Sequence, residues 1–132
     1  MNGFLIAANV LTLLAFFLHT FQGDIEIRMI QPKSDSTSVK QQEIWTMARC
    51  GWHWLSVDLL LASIGLGLIN FSQFFESPIT LLHILFVYFT VYAIVWAFTI
   101  FISKPFPKNY LKLGQWILLF VIAGLIFLGL PQ

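Results

Sequence analysis

The chain has 132 residues, 58% hydrophobic, 17% aromatic and only 10% charged, with a mean hydropathy of +0.83. Soluble domains carry about 25% charged residues, so this composition is not that of an ordinary water-soluble domain. A net charge of +1 excludes the basic balance of a nucleic-acid binder, and a single cysteine, Cys50, excludes an intrachain disulfide.

The first apolar run predicts a helix over about residues 3–22, GFLIAANVLTLLAFFLHTFQ. Twenty residues is about the length that crosses a bilayer core of roughly 30 Å. Asn9 and Thr12 are mildly polar within it, His19 stands near its end, and Gly23 offers a stop. The N-terminus, MNGF, lacks a basic region, and no small-residue cleavage site follows the run, so no cleaved leader is expected.

The polar stretch 23–40 comes next and reads as a loop. GDIEIRMIQP alternates charge with Ile and Met, which suits either a short interfacial strand or a continued helical turn. In the helical case Asp24 and Arg28 form an i,i+4 pair. Lys33 to Gln42, KSDSTSVKQQ among them, has no apolar period and nothing to bury, and is expected to be mobile.

A second helix is predicted over about 41–70, longer than one crossing needs, with its first two turns at headgroup level. Trp45, Trp52 and Trp54 suit that boundary. Ser63 and Gly67, with Gly65 between them, form a small-residue pair that permits close helix approach. After the connection SQFFESP, a third helix is predicted over about 79–103, with Ala93 and Ala97 as a second small pair and a Tyr88–Tyr92–Trp96 stripe that reads as packing. The basic turn KPFPKNYLK leads to a fourth helix over about 111–130. The fold expected is all-α: one four-span domain over residues 1–132, an integral membrane four-helix bundle of up-down topology.

Orientation follows from the basic residues. Arg28, Lys33, Lys40 and Arg49 flank the first connection, and Lys104, Lys108 and Lys112 the third. These account for all seven Lys and Arg of the chain. Both termini are therefore expected to be non-cytoplasmic and both basic connections cytoplasmic.

The helix that begins near Gln41 carries Arg49, Cys50, His53, Ser56 and Asp58 where it turns apolar. Ionisable groups inside an apolar span are costly and commonly mark a site. Arg49, His53 and Ser56 share a face, and His19 is expected at matching depth, facing His53 across the first two helices. Asp58 lies about 7–8 Å deeper at about 1.5 Å per residue. A polar ligand- or ion-binding pocket is therefore expected from His19, Arg49, His53 and Asp58, with Asp24 and Glu26 at its mouth. His19, Asp24, Glu26, Cys50 and His53 also form a possible ligand set for a transition metal, and paired histidines for haem iron, in a membrane redox protein or enzyme. No HExxH, ExxH or CxxC motif supports that set, and no catalytic signature is present. Two further readings use the same residues: Asp58 as the protonatable group of a small proton-coupled transporter, or polar helix glue in an accessory subunit. The expected partners are the lipid bilayer and either a second copy or a larger membrane complex.

Overall fold

In lipid, a backbone satisfies its own hydrogen bonds most simply as helix. The computed structural model describes residues 2–33 and 38–131. It is 81% helical, with no strand among the described residues. Three helical runs are long and apolar enough to cross a membrane: Gly3–Met29, Val39–Phe71 and Ile79–Ile102.

The first run consists of α1 (Gly3–Phe17), a π-helical turn (Leu18–Gln22) and α2 (Gly23–Met29). Gly23 does not stop it. Its φ of −65° and ψ of −35° are helical, and its N–H donates to the Leu18 carbonyl, the i→i+5 bond of a π turn. Of the two conformations that suit GDIEIRM, the helix holds, and it sets Arg28 Nε 3.1 Å from Asp24 Oδ2.

α3 (Val39–Phe71) starts within the stretch expected to be mobile. Ser38 explains the start. Its Oγ accepts from the Gln41 N–H at 3.3 Å, and Gln41 Oε1 accepts from the Ser38 N–H at 3.2 Å. This is a reciprocal capping box of the S-x-x-Q kind. The rest of the expected mobile loop includes residues 34–37, which lie outside the described residues.

The chain divides into two compact units, residues 2–11 with 65–131, and residues 12–64. In the first unit, α4 (Ile79–Ile102) packs on α6 (Gln115–Leu128). α4 buries Leu82, Leu85, Phe89, Ala93 and Ile100, an i+3/i+4 stripe, and α6 buries Leu119, Ile122, Ala123 and Ile126. Asn2 Nδ2 donates to the Gly129 carbonyl at 3.0 Å, and a Cβ on Gly129 would strike the Leu5 side chain. The Tyr88 and Tyr92 rings lie 4.4 Å apart, and the Trp96 indole donates to the Leu113 carbonyl at 3.2 Å.

The fourth expected helix is divided. α5 (Asn109–Lys112) is a single turn, and Leu113 and Gly114 separate it from α6. Leu113 leaves helical geometry at φ −106°, ψ 46°, and Gly114 caps the next helix. The uninterrupted fourth helix has 14 residues, about 21 Å at about 1.5 Å per residue, which is short of a full crossing.

Candidate functional site

The polar residues of the second unit converge on Asp24. α2 presents this carboxylate toward α3, and α3 answers with residues one turn apart. Arg49 Nε donates to Asp24 Oδ1 at 2.8 Å and Arg49 Nη2 to Oδ2 at 3.1 Å. His53 Nε2 donates to Oδ1 at 3.1 Å. Arg28, one turn along α2, brings its Nε to 3.1 Å from Oδ2. Oδ1 therefore accepts from two nitrogens, and Oδ2 accepts from Arg49 while lying at ion-pair distance from Arg28, whose Nε–H donates to the Asp24 carbonyl at 3.3 Å. The fork geometry of Arg49 is the strong, directional form of the ion pair.

Tryptophans hold the two helices on either side of this cluster. The Trp52 indole donates to the His19 carbonyl at 2.9 Å, and His19 Nε2 donates back to the Trp52 carbonyl at 3.0 Å. The two rings stack, with centroids 4.1 Å apart and planes 10° from parallel. Beyond Asp24, the Trp45 indole donates to the Ile27 carbonyl at 3.0 Å, and its ring lies under the Arg49 guanidinium at 5.6 Å. Each step along the first run is matched by an opposite step along α3, so the pair is antiparallel.

The π turn and Gly23 make the Trp52 clasp possible. The Gly23 N–H goes to Leu18 rather than to His19, and the His19 carbonyl takes the indole proton. Gly23 itself is buried, and any Cβ there would overlap the Trp52 ring. The glycine is required by close approach to a ring, not by its backbone angles.

The expected pocket is thus rearranged. Arg49 and His53 come together as their spacing implies, but on Asp24, which sits at the centre rather than at a mouth. His19 turns to Trp52, and no partner is shared between His19 and His53 in these bonds. Asp58 is half-buried, has an interaction of its own, and is not among the groups around Asp24. Glu26 and Cys50 are exposed. Ser56 is buried, and its hydroxyl has no hydrogen-bond partner among the described residues.

The metal-ligand set does not assemble. Among the described residues no group of three or more His, Cys, Asp or Glu is placed to hold a metal ion. The physical reason is competition: Asp24 is occupied by two guanidiniums and an imidazole, and the Nε2 of His19 is occupied by a backbone carbonyl.

Arg28, Trp45, Trp52 and Gly23 belong to this site and were not among the residues the sequence singled out for it. The i,i+4 spacing of Asp24 and Arg28 was a usable signal for the first of them. The side chain of Asp24 is 14% exposed, whereas those of Arg28, Arg49 and His53 are 53%, 36% and 41% exposed. The acid is sheltered and the cations open outward, so the cluster is a half-exposed surface and not an enclosed pocket. Comparison of the chain with protein-family models, with curated proteins and with solved structures finds no match.

Proposed function

We propose that this chain is a small multi-pass membrane protein that binds an anionic ligand at the polar cluster around Asp24. The observation that carries the reading is the charge count at fixed geometry. Two guanidiniums lie within salt-bridge distance of one carboxylate, with an imidazole beside them. The cluster keeps at least one net positive charge. Asp24 uses Nε and one Nη of Arg49 and only Nε of Arg28. The remaining N–H groups of two half-exposed guanidiniums suit a planar or tetrahedral oxyanion. Asp24 serves as an organiser: it fixes both arginines before any ligand arrives, which reduces the ordering cost of binding.

Inorganic phosphate provides the test. In detergent solution it should raise the Tm of the protein saturably, because a ligand that binds only the folded state stabilises it by mass action. Arg28→Gln should abolish that rise, and Lys112→Gln, in the other unit, should preserve it. No rise, or an equal rise in Arg28→Gln, would contradict the reading.

The orientation belongs to the same proposal. With all seven Lys and Arg around the first and third connections, the cluster faces the cytoplasm and the N-terminus faces away from it. The C-terminus returns to the N-terminal side through α5 and α6 taken together, since α6 alone is too short to cross. A topology reporter fused after Gln132 should read as non-cytoplasmic, and one inserted at Ser36 as cytoplasmic. The opposite pair of results would place the cluster on the other surface.

A further inference from the structure

We infer that the anion bound at the Asp24 cluster is the headgroup phosphate of an anionic phospholipid. This inference rests on the anion-binding reading above and adds the identity of the ligand. Three observations support it.

The first is level. The apolar run ends at Gln22, about 20 residues and so roughly one hydrocarbon thickness from Gly3. Asp24 and Arg28 follow at once on α2, and the ion pairs bring Arg49 and His53 of α3 to the same height. The cluster thus stands where the chain leaves the hydrocarbon, at the depth of lipid phosphates.

The second is the surroundings. Trp45, Trp52 and Trp54 fall within ten residues of α3, the spacing of an interfacial aromatic belt. Exposed apolar side chains flank the cluster, Leu18, Phe21, Trp54 and Val57 toward the apolar ends of the two helices and Met29, Ile30 and Met47 on its other side. A ligand held here has a charged end at the cluster and apolar surface beside its deeper part.

The third is charge complementarity. The arginines retain positive charge after Asp24 is paired, and their side chains are open. A phosphodiester offers a guanidinium fork two non-bridging oxygens that share one negative charge. At this height, phosphodiester is the anion present in greatest amount. A basic residue near an anionic surface favours association by about five-fold.

The test uses the full chain reconstituted in phosphatidylcholine vesicles, with Trp96→Phe and Trp116→Phe so that only the three belt tryptophans report. Brominated phosphatidylglycerol and brominated phosphatidylcholine, at equal mole fractions, are compared as quenchers of tryptophan fluorescence. The inference predicts stronger quenching by the anionic lipid. It also predicts a preference that falls about five-fold in Arg28→Gln and is largely restored in Arg28→Lys. Equal quenching by the two lipids overturns it, and this comparison needs no change at the cluster. A preference unchanged in Arg28→Gln also overturns it. If inorganic phosphate raises the Tm in detergent while the two lipids quench equally, the anion site stands and its lipid identity fails. If phosphate has no effect and the lipids quench equally, both fail.

Discussion

Trp52→Ala is expected to destabilise the protein by about 3 kcal/mol, in the range of large aromatic truncations. The indole makes three connections at once. It donates to the His19 carbonyl, stacks on the His19 ring, and fills the space that Gly23 leaves open. Loss of the ring also leaves the His19 carbonyl without that donor beside a π turn. Unfolding in mixed micelles of dodecyl maltoside and sodium dodecyl sulfate measures the change. Trp54→Ala is the control: its side chain is 74% exposed, and a change below about 0.5 kcal/mol is expected, as for surface substitutions away from such features. Equal losses for the two variants would mean that Trp52 is a belt residue and nothing more.

Asp24→Ala is expected to separate the ends of α2 and α3. It removes the carboxylate that pairs with Arg28, Arg49 and His53, and the two guanidiniums then repel across the hairpin. Spin labels at the native Cys50 and at Glu26→Cys report directly, since both positions are exposed. The unsubstituted pair should give one narrow distance distribution. Asp24→Ala should broaden it and lengthen its mean. Asp24→Asn should fall between, because an amide oxygen still accepts but carries no charge. An unchanged distribution in Asp24→Ala would show that the tryptophan clasps alone hold the hairpin.

These two expectations show what the sequence could and could not tell. The apolar runs were legible because lipid demands helices of a set length, and three such helices are present. Arg49 and His53 were legible as a pair because four residues return a helix to the same face, and one carboxylate receives both. The start of α3 was written in Ser38 and Gln41, whose spacing is that of a capping box.

The π turn was not legible. One extra residue per turn rotates everything after it, and nothing in LHTFQ distinguishes it from an ordinary turn. That rotation helps decide where His19 and Asp24 point. His19 bonds the carbonyl of Trp52, next to His53, and the two imidazoles are near enough to interact by charge, but they have different hydrogen-bond partners. Gly23 looked like a helix stop because glycine commonly ends helices. Its reason here is the Trp52 ring, contributed by a residue far away in sequence. The break at Leu113 and Gly114 did leave a signal: Lys112, Gly114 and Gln115 interrupt the apolar run where α5 ends and α6 begins.

The central claim is that the arginines organised by Asp24 bind an oxyanion. The most direct measurement follows the side-chain Nε–H resonances of Arg28 and Arg49 by nitrogen-15 NMR in micelles while inorganic phosphate is added at constant ionic strength. Both resonances should shift along one saturable curve that chloride does not reproduce, and the curve should disappear for Arg49 in Arg28→Gln. Resonances that stay fixed through the titration, or that follow chloride equally, would contradict oxyanion binding and leave the Asp24 cluster as a clasp between two helices.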